Sequence, residues 1–216
     1  MAKVRSIPRK AAARRAPPKF VHQFLIVLTG IDPLVWRRIQ VPEAYSFWDL
    51  HVSIQDAMGW LDCHLHEFRL LDAEEQRVVS IGIPTDEAPE DRAVIPGWDV
   101  PLARFFERRA WHAPHATYAY DFGDDWEHVL VHEGMAPAEP AQTYPRCVSG
   151  ARRCPPEDCG GMPGYAAFLD AIADPEHPEH ASMLEWSGGA YDPSVFDPEA
   201  VVFDDPRKRW KKAFER

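Results

Sequence analysis

The amino-acid sequence predicts a single α+β domain: a mixed or antiparallel sheet with hairpins, packed against a few helices. Three observations predict it. β-prone apolar runs joined by short turns occupy residues 20–42 and return at 116–134. One well-capped amphipathic helix interrupts them at 46–59. No internal repeat and no convincing linker divides residues 20–200. At 216 residues, with 45% hydrophobic and 12% aromatic content, the chain is long enough for one sizeable core.

The elements follow in order. "FVHQFLIVLTG" from Phe20 is almost continuously apolar, as a strand buried on both faces would be. "IDP" at 31–33 turns the chain into a second β-prone run, "LVWRRIQVP", and the two read as a hairpin. In "SFWDLHVSIQDAMGW", Ser46 caps a helix and Asp49 completes a capping box. Phe47, Leu50, Ile54, Ala57 and Met58 recur at helical spacing, and Gly59 stops the helix. "HLHEFRLL" reads as a strand and "RVVSIGI" as a weaker one; residues 84–99 read as a surface loop. A short helix at "PLARFFERR" precedes a hairpin, "ATYAYDFGDDWEHVLVHEG", turning at Gly123–Asp124. "PRCVSGARRCPPEDCGG" at 145–161 is too irregular for helix or strand and reads as a stiff, turn-rich connection. Two short helices, "GYAAFLDAIAD" and "EHASMLEW", follow, and a basic "RKRWKKAFER" closes the chain.

Charge is divided along the chain. The formal net charge is −10, yet residues 1–19 carry seven Lys/Arg and no acid, which leaves −17 for residues 20–216. An acidic body repels a phosphate backbone unless a local patch reverses the field. The basic head reads as a disordered solubilising tail, as a contact for nucleic acid or another acidic surface, or as an Arg-rich transit segment. No apolar run approaches a membrane span or a secretory signal, and four cysteines with Cys63 standing apart form no disulfide framework, so a cytoplasmic setting is expected.

Three clusters carry candidate chemistry. Cys147, Cys154 and Cys159 are spaced C-x6-C-x4-C, without the tight C-x2-4-C pair of most structural zinc sites. Their loop is Gly/Pro-rich, and Arg152 and Arg153 would favour thiolates, so zinc, a redox pair and plain packing all stand as readings. His64 and His66 flank Leu65, and on a strand both would point to one side, a metal-ligand geometry that His51 and Asp62 could join. In the 116–134 hairpin, Tyr118, Tyr120 and Phe122 share one face, as do Trp126, His128, Leu130 and His132. That aromatic surface either stacks a base or apolar ligand or forms the core of the sheet. Asp121, Asp124 and Asp125 at its turn suit a hard cation, and equally an ordinary turn. Glu157 and Asp158 in "PPED" read as caps for loop N–H groups. No G-x-G-x-x-G, Walker or G-x-S-x-G pattern occurs, so the chain carries no nucleotide or flavin fingerprint and no hydrolase elbow.

The ordered motifs "IDPLVWRRIQVP", "FWDLHVSIQDAMGW", "HLHEF", "YDFGDDWEH", "CPPEDCGGMPGY" and "YDPSVFDPEAV" resemble the plasmid pRiA4b ORF-3-like family over roughly residues 20–204. The resemblance implies an α+β fold and a link to plasmids and insertion elements, and it implies no established activity. It divides the chain into a basic tail (1–19), the family domain (20–204) and a basic C-terminal extension (205–216). Two functions follow as expectations. One is a non-enzymatic binding or accessory module linked to mobile genetic elements, meeting a protein or nucleic acid through the aromatic hairpin (Tyr118, Tyr120, Trp126) and the basic termini. The other is a metal-dependent hydrolase, a phosphoesterase or nuclease, using His64, His66, His128, Asp121 and Asp124.

Overall fold

The computed structural model describes residues 17–71, 77–85, 93–106 and 115–215. The basic head read as a tail lies almost wholly outside them. Eight strands form one sheet: β1 Phe20–Leu28, β2 Trp36–Pro42, β3 His66–Leu71, β4 Arg77–Gly82, β5 Val94–Pro96, β6 His115–Tyr120, β7 Trp126–Pro137 and β8 Arg146–Ala151. Their spatial order is β5-β4-β3-β6-β7-β1-β2-β8. Every pairing is antiparallel except β4 with β5.

β1 is central, between β2 and β7, but its sides differ. Phe24, Ile26 and Leu28 are fully buried, while Gln23, Leu25 and Val27 between them are only half-buried. The near-continuous apolar run therefore has one core face, not two. The other strands of the sheet supply Ile39, Val41, Leu130, Tyr118, Phe68 and Leu70 to the same core.

Against that face lies α1 (Phe47–Met58), with the capping box of Ser46 and Asp49 and a left-handed Gly59 at its end. All its residues except Asp56 are buried, because two layers enclose it. Phe47, Leu50, Ile54 and Met58 meet the sheet, whereas Trp48 and Val52 join Trp98 in a second cluster. That cluster is closed by α4 (Pro206–Phe214) through Trp210 and Phe214. The Trp48 indole donates to the Pro206 carbonyl at 2.9 Å, and Arg209 pairs with Asp56 at 2.7 Å. The segment read as a C-terminal extension is thus packed on the domain. α2 (Gly161–Ala173) and α3 (His180–Trp186) complete the fold, with Tyr165 and Phe168 of α2 buried.

Three sequence expectations need correction. The 84–99 loop contains β5 and a 3-10 turn at Gly97–Asp99 with a buried Trp98; residues 86–92 are outside the described set. The helix expected at 101–109 is one 3-10 turn, Leu102–Arg104, and its continuation from 107 is outside that set. The irregular cysteine stretch begins as β8, an edge strand beside β2. An edge strand needs few apolar residues, so its composition concealed it. Among the described residues no helix is long and apolar enough to cross a membrane.

Candidate functional site

The site is assembled by register. β3 and β6 pair with His66 opposite Tyr120, so the residues entering β3 lie beside those leaving β6. The Asp121 N–H donates to the Leu65 carbonyl at 3.0 Å and fixes that juncture. The loop after β8 folds over it. The Trp60 indole donates to the Pro155 carbonyl (3.0 Å), the Leu61 N–H to Glu157 Oε1 (3.3 Å) and the Gly160 N–H to Asp124 Oδ2 (3.0 Å).

His64, Asp121 and Asp158 meet where these three segments converge. His64 Nε2 is 2.9 Å from Asp158 Oδ1 and 3.5 Å from Asp121 Oδ2. One ligand atom from each of the three lies within 4.8 Å of the others. The group is partly open to solvent: the side chains are 29% (His64), 11% (Asp121) and 68% (Asp158) exposed. Asp62, Asp121 and Asp158 all adopt left-handed backbone conformations, a cost of about 1–3 kcal/mol each that surrounding contacts must hold.

Behind the cluster sit Tyr120 and Glu157. The Tyr120 hydroxyl donates to Glu157 Oε1 at 2.5 Å and accepts from the Cys63 N–H at 3.0 Å. Burial raises the Glu157 carboxyl above the usual carboxylate range, against the opposing hydrogen bonds from Tyr120 and Leu61. Burial likewise raises the Tyr120 phenol, and the adjoining Glu157 raises it further.

The segment carrying His64 is anchored from beneath. Gln55 donates to the Tyr118 hydroxyl (2.9 Å), which donates to His51 Nδ1 (2.8 Å); the other ring nitrogen of His51 donates to Asp62 (2.7 Å). The Asp62 N–H returns to Gln55 Oε1 at 3.1 Å. Every member of this chain has a partner, the condition under which a buried polar network rigidifies its surroundings.

The other candidates are elsewhere. His64 lies in the bend before β3, so it does not share a strand face with His66. His66 is buried and stacked on His51, with ring centroids 3.4 Å apart, and burial and then His51 push its pKa well below the ordinary value. His128 is fully buried; its Nδ1 donates to the Tyr118 carbonyl, and burial pushes its pKa down to about 4. Of the five candidate catalytic residues, only His64 and Asp121 come together as ligands, since Asp124 accepts from the Gly160 N–H just before α2. Tyr118, Tyr120 and Trp126 are buried in the core and present no binding face. The exposed aromatic of that hairpin is Phe122, at 52%.

The cysteines do not form a cluster of that kind. Among the described residues the three-ligand group is His64, Asp121 and Asp158. Cys147 Sγ–H faces the Ser149 carbonyl and Cys159 Sγ–H the Gly161 carbonyl. Burial raises all three thiols, Cys159 to about 12. The cation opposing that rise at Cys147 and Cys154 is Arg37 rather than the neighbouring arginines; the Arg153 guanidinium lies over the Tyr191 ring at 4.6 Å. Asp158 is the member of this group that the sequence did not announce. Its motif suggests a loop cap, and nothing local signals a partner 94 residues away.

Known proteins place the chain. The family model described as plasmid pRiA4b ORF-3-like protein matches residues 21–200. Uncharacterized protein y4hQ of Sinorhizobium fredii (strain NBRC 101917 / NGR234) is 36% identical over 194 residues, covering 88% of this chain and 94% of that protein. The crystal structure of MM3350, a protein of unknown function from Methanosarcina mazei Go1, has a TM-score of 0.75 and 36% sequence identity. It covers 87% of this chain and 100% of that one. With the match spanning every strand but the first residue of β1, and all the site residues, the chain belongs to the plasmid pRiA4b ORF-3-like family.

Proposed function

We propose that the chain is a cation-dependent binding module, in which His64, Asp121 and Asp158 hold a divalent ion that in turn holds an anionic group of a partner. One observation carries the reading: three ligand atoms from three separate segments lie within 4.8 Å of one another at an open surface. One imidazole and two carboxylates suit a hard or borderline ion such as Mn²⁺. Three protein ligands on an ion that prefers about six leave positions for water or a partner's oxygens. The plasmid origin in the family's description supports placing such a module with mobile genetic elements.

The test is titration of the purified, untagged protein with Mn²⁺, read by calorimetry and by loss of the free-ion electron-spin signal. One ion per chain is expected. Asp158→Asn should weaken it at least tenfold, about 1.4 kcal/mol, with an unchanged circular dichroism spectrum. Asp158 is the suitable position because it is exposed and Asn tolerates its left-handed backbone. Absence of binding, or affinity indifferent to Asp158→Asn, sinks the proposal.

A second reading, metal-dependent hydrolysis of phosphoesters, is favoured by Glu157. Its carboxyl, raised by burial and adjoining the cluster, is placed to take a proton from an ion-bound water. Turnover of bis(p-nitrophenyl) phosphate by the Mn²⁺-loaded protein, lost in Glu157→Gln, would select this reading; an ion bound without turnover leaves the module.

A further inference from the structure

Residues 205–216 carry six Lys/Arg against two acids, whereas residues 20–204 carry 11 against 32. The basic charge of the folded chain is therefore concentrated on α4. On that helix Arg207 is engaged by Asp205, and Arg209 by Asp56 and Asp204. Lys208, Lys211 and Lys212 remain exposed, and among the described residues none has an ion-pair partner. Their i, i+3, i+4 spacing puts all three on one face of the helix. The opposite face is already covered, because Trp210 and Phe214 pack against Trp48 and Trp98. α4 has no free apolar side with which to enter a lipid surface, so its lysines are set for a polyanion in water.

The helix adjoins the segment that carries His64: Arg209 Nη1 is 3.9 Å from Asp62 Oδ2, two residues before His64. Phe122 follows Asp121 and, 52% exposed, stands half out of the β6–β7 turn. The helix that carries the lysines and an exposed ring thus each border a segment that supplies the cluster. An exposed ring can stack a base only when that base is free of a duplex.

We infer that the partner of this surface is a single-stranded nucleic acid, its phosphates shared between the ion at His64, Asp121 and Asp158 and the lysine face of α4, with a base against Phe122. This rests on the cation-binding reading. It also requires the ion: without it, Asp121 and Asp158 present negative charge to a phosphate.

The experiment is fluorescence anisotropy of a labelled oligothymidine of about 20 nucleotides with the full chain in roughly 50 mM salt, with Mn²⁺ or with EDTA. Binding is expected with Mn²⁺ and should weaken at least tenfold in EDTA and in Asp158→Asn. Replacing Lys208, Lys211 and Lys212 together by Ser should weaken it at least tenfold and lower the salt slope by about 2, as three lost single-strand contacts require. Phe122→Ala should weaken it with the salt slope unchanged. Mn²⁺ bound without oligonucleotide overturns the partner and leaves the cation reading intact. Oligonucleotide bound equally well in EDTA overturns the shared surface, and it counts against the cation reading only if the Mn²⁺ titration is also blank. Binding indifferent to the three lysines, or seen only with phosphatidylserine vesicles, also overturns the inference.

Discussion

On β2 two consecutive arginines have opposite surroundings. A strand's side chains alternate, so Arg38 reaches the open face and pairs with Glu133 at 2.8 Å, while Arg37 enters the core. The Arg37 guanidinium meets no carboxylate there among the described residues. It donates to the carbonyls of Ala57 (2.8 Å), Trp36 (2.8 Å) and Ala151 (3.0 Å) and stacks 3.6 Å above the Phe196 ring. Ala57 belongs to the last turn of α1, whose carbonyls carry partial negative charge and lack helical partners. Arg37 therefore ties the helix end, its own strand and β8 together. Arg37→Ala should cost about 3 kcal/mol in urea unfolding, because buried acceptors are left without a donor. Lys should restore only part of this, since one ammonium cannot reproduce a planar fork. A loss below about 1 kcal/mol would mean that the three carbonyls find other donors. The alternation that buries one of the pair is readable in "WRRIQ", but the identity of its acceptors is not, because they come from two other elements. Asp158 poses the same difficulty at the site: His64 and Asp121 stand in conspicuous motifs, and the third member of the group reaches them only through the folded loop.

At the scale of elements, locally encoded features were readable and neighbour-dependent ones were not. The capping box of Ser46 and Asp49 and the left-handed Gly59 are written within fourteen residues, and the structure has all three. β5 and β8 bury no side chain fully and exist because β4 and β2 offer them backbone partners. α1 misled in a subtler way. Its apolar spacing marks one core face, yet His51 and Gln55 are buried too, bonded to the Tyr118 hydroxyl of the sheet, and α4 covers the side of Trp48 and Val52 that amphipathicity would leave in water. Nothing in "RKRWKKAFER" announces that role, and the family match ends at residue 200, before α4 begins. Deleting residues 205–216 should uncover Trp48 and Trp98 and leave Asp56 without Arg209. The expected result is a fall in Tm of about 5 °C or more, with a red shift in tryptophan emission. An unchanged Tm would show that α4 merely rests on the domain.

For the whole molecule, four imidazoles that are buried without full partnership among the described residues couple stability to pH. His22 and His132 share one hydrogen bond at 3.0 Å, and the remaining nitrogen of each ring is buried without a partner. Neither nitrogen of His66 has one, nor does Nε2 of His128. Burial pushes His22, His132 and His128 down to about 4, and His66 well below its ordinary value. In the unfolded chain the same groups titrate near 6.5. Above pH 6.5 neither state binds these protons and stability is undiminished. As pH falls from 6.5 toward 4, the unfolded chain takes up protons that the folded chain refuses, so stability drops. An independent site of this kind costs about 3 kcal/mol once pH reaches 4, and His22 with His132 counts as one coupled pair. Three such contributions approach the whole stability of an ordinary domain, so cooperative acid unfolding is expected between about pH 4 and 5.5. Urea unfolding from pH 7.5 to pH 5 should show a steadily falling free energy with an unchanged m-value. His128→Gln, which stays neutral throughout, should flatten that fall by about one proton's slope. Stability level from pH 7 to pH 5 would contradict the assignment of neutral, buried imidazoles and would require them to be charged and paired in the folded chain.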